Sequence, residues 1–222
     1  MRVMRSVKRH GLDITRAIFM QGRAPYRFMK PLRMSLFLSA NEDDVREAID
    51  MGFAAGHVMG HAAPDDGDAD LRIAFDFDGV LADDSAERVF QSEGLDGYQE
   101  SESALAEVPL DRGPMADFLE KINRIQGIED SKSVDDPSGY RRRVHVAVVT
   151  ARSAPAHERA INSIRGWGLR VNDAFFLGGI DKGPILEVLR PHIFFDDQRR
   201  HVEGAALSIP SVHIPFGAIN RD

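Results

Sequence analysis

Arg72-Ile-Ala-Phe-Asp-Phe-Asp-Gly-Val-Leu81 decides how the rest of this 222-residue chain is read. Residues 73–75 form a short apolar run, and two aspartates, Asp76 and Asp78, follow it at spacing i, i+2. Gly79 marks where the backbone turns away. In a parallel α/β sheet, chemistry gathers beyond the carboxyl ends of the strands. Side chains at i and i+2 of an extended segment point the same way, so Asp76 and Asp78 are expected to face one small site. Two carboxylates there suit a hard cation such as magnesium. They also suit a division of labour, one ionised and nucleophilic, the other protonated and acidic. A turn favours Asp and Gly on conformational grounds alone, so the weight falls on the rest of the chain.

Downstream, apolar runs alternate with helical patterns. Val144-His-Val-Ala-Val-Val149 is β-branched almost throughout, the mark of a strand buried on both faces, and Thr150 and Arg152 stand past its end. Residues 174–177 and 192–195 read as further strands, the second delivering Asp196 and Asp197, and residues 211–214 as the last. Lys182 follows a Gly178-Gly179 turn and precedes a helix over 184–190. Between the first two motifs, Asp84-Ser-Ala-Glu87 fits a capping box for a helix that Gly94 closes. Pro114 opens an amphipathic helix expected to end at Gly127, with a polar loop over 129–142. Ser153 is the expected cap of the helix that follows Thr150. This alternation predicts an α/β fold, a doubly wound parallel sheet with a small helical cap inserted over about 83–142.

Composition limits the function. The formal net charge of −7 argues against binding a nucleic acid polymer, which usually needs a basic face. The absence of cysteine excludes disulfides and thiolate metal sites. No apolar run is long enough to span a bilayer, and the basic N-terminus has no apolar core behind it. No membrane role is expected, and the cytoplasm is the default location. A homo-oligomer stays compatible with the sequence.

The N-terminal part reads as a helix over 2–10, strands at 17–20, 36–38 and 54–58, a weak helical segment over 26–32, and a helix over 42–50 capped by Asn41. It also repeats the C-terminal part. Residue n aligns without gaps with residue n + 157, pairing Gly11 with Gly168, Phe19 with Phe176, Gly22 with Gly179, Arg33 with Arg190 and Phe37 with Phe194. About ten of roughly forty positions are identical, enough to call for an internal repeat. The charges are not repeated: Pro25 stands opposite Lys182, and Ser39 and Ala40 opposite Asp196 and Asp197. Residues 1–61 are therefore expected to be a degenerate, structural half-repeat. In it, the strands at 17–20 and 36–38 pair with each other in a small sheet. An acidic linker at 62–70 joins it to a catalytic domain at 71–222.

Asp76/Asp78, Thr150, Lys182 and Asp196/Asp197, in that order, resemble the four motifs of the haloacid-dehalogenase-like phosphohydrolases. Val149-Thr-Ala-Arg-Ser-Ala-Pro155, Arg190-Pro-His-Ile-Phe-Phe-Asp-Asp-Gln198, His213-Ile-Pro-Phe-Gly217 and Leu36-Phe-Leu-Ser-Ala-Asn41 are similar to stretches of the cytosolic 5′-nucleotidase type I family. Two departures stand out. Members of that family begin well before the position equivalent to Met1, which implies a shortened start. Asp76-Phe-Asp-Gly-Val80 follows the general superfamily form and not the Asp-Gly-Asp-Ala of animal members.

The resemblance implies a 5′-nucleotidase acting on nucleoside 5′-monophosphates through an aspartyl-phosphate. Asp76 would be the nucleophile and Asp78 the acid–base group. Thr150 would bind a phosphate oxygen and Lys182 would neutralise the phosphoryl group. Mg2+ would be held by Asp76, Asp78, Asp196 and Asp197, with the direct ligand of the last two left open. Arg152 and Tyr98 are the candidate substrate contacts, Tyr98 and Phe90 for the base, with the polar run Gln99-Glu-Ser-Glu-Ser103 for ribose or base edges. Two other readings stay open, a phosphatase of the same core acting on other small esters and a non-catalytic binding or assembly protein.

Overall fold

A short β-branched run that is apolar at nearly every position suits a strand covered on both faces. The computed structural model describes residues 2–60, 67–136 and 139–221, so most of the expected linker at 62–70 lies outside the described residues. Seven strands follow in chain order: β1 (Phe37–Ser39), β2 (Ala55–Met59), β3 (Leu71–Phe75), β4 (Val144–Thr150), β5 (Asp173–Phe176), β6 (Ile193–Asp196) and β7 (Ser211–His213). They make one sheet in the order β1-β2-β7-β6-β3-β4-β5. Neighbours are parallel except β2 and β7, which run antiparallel with His57 opposite His213. The helices are α1 (Arg2–Arg9), α2 (Glu42–Asp50), α3 (Ser85–Ala104), α4 (Ala116–Asp135), α5 (His157–Gly166), α6 (Gly183–Leu189) and α7 (Arg199–Ala205).

Successive residues of the central strands feed two clusters. Phe75, Val148 and Phe195 pack with Leu119 and Ile122 of α4. Ala74, Val149 and Phe194 pack with Leu186 of α6 and Ala205 of α7. Helices thus cover both faces of a mostly parallel sheet, the Rossmann-like architecture of the haloacid-dehalogenase-like fold. Phe75 stands opposite Val148 on one side and Phe195 on the other, so Asp76, Thr150 and Asp196 leave the sheet at one end.

The backbone shows angles at the same spacing. Left-handed φ angles recur at the same offset: Gly11 and Gly168 (62° and 69°), Gln21 and Gly178 (52° and 60°), Gly22 and Gly179 (86° and 85°), Arg33 and Arg190 (54° and 48°), Gly60 and Gly217 (82° and 82°). The strand–helix–strand unit β1-α2-β2 corresponds to β6-α7-β7, and the two units join along β2 and β7. Asn41 caps α2 as expected, its side chain accepting the Asp43 N–H at 3.1 Å.

Several local expectations give way to tertiary contacts. Residues 17–20 are not a strand but exposed irregular chain. Their counterpart β5 exists by pairing with β4, and among the described residues nothing plays the part of β4 for them. Instead, β1 pairs with β2 and extends the main sheet. The helical segment at 26–32 shrinks to a 3-10 turn, Tyr26–Phe28. Gly94 kinks α3 at φ 72° without ending it. Asp84 makes no cap bond and instead accepts the Ala218 N–H at 2.8 Å. Ser153 does not cap α5, which has no side-chain cap. No helix among the described residues is long and apolar enough to cross a membrane.

The clearest departure is α4, which runs through Gly127 to Asp135, so half of the expected loop is helical. Glu129 explains it. Its buried carboxylate accepts the Arg143 N–H at 2.9 Å, the Val144 N–H at 3.1 Å and the Tyr140 hydroxyl at 2.9 Å, docking the last turns against the start of β4. Burial pushes this carboxyl up, but the backbone N–H groups and Tyr140 outweigh it and hold the pKa below its ordinary value. A group lowered on folding stabilises the native state above its unfolded pKa and loses that contribution as pH falls through the folded one. Glu129→Ala is expected to cost about 2 kcal/mol or more at pH 7 by leaving buried N–H groups unpaired. The difference from wild type should narrow in urea titrations as pH falls below the ordinary glutamate range.

Candidate functional site

β3 ends at Phe75, and the chain bends at once. Phe77, fully buried, stacks on Trp167 with ring centroids 6.0 Å apart, and its carbonyl accepts the N–H groups of Leu81 and Ala82. Asp76 and Asp78 therefore flank a wedge in a turn and do not lie along one extended segment. Gly79 follows at φ 68°, and a Cβ there would sit 2.3 Å from Asp197 Oδ2. The turn closes directly onto the Asp197 carboxylate, which only glycine permits.

Asp76 is buried. Its Oδ1 accepts the Phe77 N–H at 2.7 Å, and Lys182 Nζ lies 2.8 Å from its Oδ2. The same ammonium is 2.7 Å from Asp196 Oδ2. Asp196 Oδ1 accepts the Gln198 N–H at 2.7 Å, and His201 Nδ1 stands 3.2 Å from Oδ2. Asp197 is buried too, and its Oδ1 has no hydrogen-bond partner. Its backbone carbonyl accepts from Asn220 Nδ2 at 2.9 Å.

One ammonium thus pairs with two of three buried carboxylates, and the pKa shifts follow from that imbalance. Burial is the largest effect on each. It raises Asp76 to about 6, with Lys182 opposing and Asp196 reinforcing. It raises Asp197 well above its ordinary value, helped by repulsion from Asp76 and Asp196. Burial also works against the charge of Asp196, but Lys182 and then His201 outweigh it and hold that group low. Lys182 is pushed up despite burial, because Asp76 and Asp196 flank it. Asp76, Asp196 and His201 offer ligand atoms within 4.8 Å of one another, so an acidic metal site is available here.

Thr150 is buried at the end of β4, its Oγ1 accepting the Arg152 N–H at 3.3 Å. Arg152 is buried and turned towards Asp78, not towards open solvent. Tyr98, on the second half of α3, is half-buried, with the Arg152 guanidinium 5.9 Å from its ring centre and Phe90 edge-on at 6.0 Å. Phe90 is the more exposed of the two aromatics. The structure therefore gathers Asp76, Thr150, Lys182, Asp196 and Asp197 at one end of the sheet, with Asp78 and Arg152 beside them and Tyr98 of α3 against Arg152.

Sequence reading misses three contributors. Glu102 sits in the polar run 99–103, where a glutamate looks solvated, yet it is buried against Arg152 and Arg159. His201 shows no ligand spacing to Asp196. Asn220 is isolated near the end of the chain and is found only through its bonds to Asp197 and His213. The half-repeat also reaches the site: Arg46 of α2 donates to the Asn220 carbonyl at 2.7 Å. A cleft of about 680 Å³ opens there between α2 and α7, with Arg46, Arg199 and Arg200 in its walls.

Residues 1–221 match the family described as 5′-nucleotidase. Cytosolic 5′-nucleotidase 1B of Homo sapiens is 37% identical over 207 residues, covering 92% of this chain and 33% of the human protein. The chain spans about a third of the length of that curated relative. No solved structure matches it. With a family match over nearly its whole length and the four strand-end motifs gathered in one place, the chain belongs to the 5′-nucleotidase family.

Proposed function

We propose that this chain is a magnesium-dependent phosphomonoesterase that hydrolyses nucleoside 5′-monophosphates to nucleoside and phosphate. The observation that carries the reading is Asp197 Oδ1, a buried carboxylate oxygen with no partner in a site where carboxylates outnumber cations. Such an oxygen is costly to bury unless something binds it. An all-oxygen donor set with surplus negative charge fits a hard divalent cation. Asp76, Asp197 and the Asp78 carbonyl would hold it. Asp196, whose oxygens are engaged by Lys182, Gln198 and His201, one group more than those of Asp76, would instead orient Lys182. When bound, the cation offsets charge on the phosphoryl oxygens.

The side chains then divide the work. Asp76 attacks phosphorus in line with the ester oxygen, and the P–O5′ bond breaks as Asp78 gives its proton to O5′. Nucleoside leaves, with the phosphoryl group on Asp76. Asp78, now a carboxylate, takes a proton from water as the water oxygen attacks phosphorus. The bond to Asp76 breaks, releasing phosphate and restoring both aspartates. Lys182 balances the charge of the Asp76–phosphoryl pair as a point charge. Thr150, whose oxygen accepts from Arg152, keeps its hydroxyl proton for a phosphoryl oxygen. Nucleotide preference is supported by the family and by Phe90 and Tyr98 on the insert, since a base needs an apolar face and a sugar phosphate does not.

The deciding measurement is phosphate release from a panel of AMP, IMP, deoxynucleotides, hexose phosphates and p-nitrophenyl phosphate, with magnesium and with chelator. Higher kcat/KM on nucleotides than on hexose phosphates, lost in chelator, is expected, and equal rates across the panel would leave a general phosphatase. Asp76→Asn should lower kcat by roughly a thousandfold or more, an amide being no substitute for the nucleophile. Near-normal turnover by that variant would rule out covalent catalysis at Asp76. Phe90→Ala should raise KM for AMP about tenfold, the scale of one base-stacking contact, and change KM for p-nitrophenyl phosphate much less.

A further inference from the structure

Asp78 must change its hydrogen-bond partners during such a reaction, yet its carboxylate is held by a fork. Arg152 Nε donates to Oδ2 at 2.8 Å and Nη2 to Oδ1 at 2.6 Å. Nη1 of the same guanidinium goes to Glu102 and to the Ala156 carbonyl, the latter at 2.9 Å. The other Glu102 oxygen accepts from Arg159 Nη1 at 2.7 Å, and Arg159 Nε is tied to the Val108 carbonyl at 2.9 Å. The guanidinium of Arg152 lies 5.0 Å from the centre of the Phe77 ring. The side chains of Arg152 and Glu102 are 1% and 2% exposed, whereas that of Asp78 is 24% exposed. With Asp78 ionised, two arginines and two carboxylates balance, and the Asp78 end of the cluster reaches furthest towards solvent.

Buried ion pairs add little stability over an apolar core of the same volume, so stability alone does not account for this one. We propose that Glu102 is a positioning residue: it fixes Arg152 from the α3 side, so that the fork presents the Asp78 carboxyl to the leaving oxygen. Because Glu102 rides on α3, the aim of Asp78 depends on the seating of the insert on the core. With the charge of Glu102 removed, Nη1 has no carboxylate on the α3 side, and Arg152 and Asp78 can shift together. A misplacement of about 1 Å costs up to roughly a hundredfold in a positioned reaction. This inference rests on Asp78 acting as the acid of the proposed hydrolysis, delivering its proton to O5′ as the P–O5′ bond breaks.

The test uses the leaving group. A ribose alkoxide needs the proton, whereas p-nitrophenolate departs as a stable anion without it. In the intact chain with magnesium, Glu102→Gln is expected to lower the ratio of kcat/KM for AMP to kcat/KM for p-nitrophenyl phosphate at least tenfold, because kcat/KM reports the steps up to departure of the leaving group and not the hydrolysis of the shared phosphoryl-enzyme. The double variant Glu102→Gln/Arg159→Gln restores charge balance, guards against a folding defect in the single variant, and should show the same fall. Circular dichroism and thermal melting establish that each variant is folded. A ratio within threefold of wild type, or failure of both variants to fold, makes the cluster purely structural and overturns the inference while leaving the nucleotidase reading intact. Wild-type protein that turns over neither substrate overturns both.

Discussion

Three buried carboxylates stand around one ammonium at the ends of two adjacent strands, β3 and β6, and much of this molecule is arranged to make that tolerable. A carboxylate out of water must be paired or protonated. Lys182 can reach both Asp76 and Asp196 only because β6 and β3 are neighbours and end level, and because the turn after β5 carries the lysine back over them. The left-handed Gly178 and Gly179 make that turn. What Lys182 cannot balance is Asp197, whose raised pKa and unpaired oxygen mark where further positive charge belongs.

The half-repeat shows what happens to the same backbone when those charges are gone. With Pro25, Ser39 and Ala40 in place of Lys182, Asp196 and Asp197, β1-α2-β2 keeps its strands, its helix and its left-handed residues. β2 covers the edge of β7, which would otherwise offer unpaired backbone groups. Through Arg46 and Asn220 the unit also steadies the carbonyl of Asp197. The N-terminal unit thus acts on the C-terminal one through packing and hydrogen bonds, at the backbone carbonyl of Asp197.

Much of this is legible in the sequence, and the division follows a physical line. Asp76, Thr150, Lys182 and Asp196/Asp197 are readable because each ends or follows an apolar run, and burial must stop where charge begins. The repeat is readable because backbone turns leave glycines. Residues 17–20 mislead because a strand is defined by its partner, and β-branched or aromatic composition cannot supply one. Glu129 and Glu102 mislead for the opposite reason. Each lies in a polar stretch that looks solvated, and each is buried by donors far away in sequence, Arg143 and Val144 for one, Arg152 and Arg159 for the other.

The two aspartates of the first motif illustrate the same point at closest range. Spacing alone would set Asp76 and Asp78 side by side. What separates them is Phe77, whose ring is driven under Trp167 and whose carbonyl anchors the turn. On one side of that wedge Asp76 accepts the Phe77 N–H at Oδ1 and meets Lys182, a point charge shared with Asp196, at Oδ2. On the other, Asp78 meets the planar fork of Arg152, which fixes both of its oxygens at once. In the proposed reaction Asp76, as nucleophile, would need charge balance, and Asp78, as proton donor, would need to be aimed. The apolar residue between the aspartates is therefore as much a part of the motif as the carboxylates, because its burial assigns each of them a different cation.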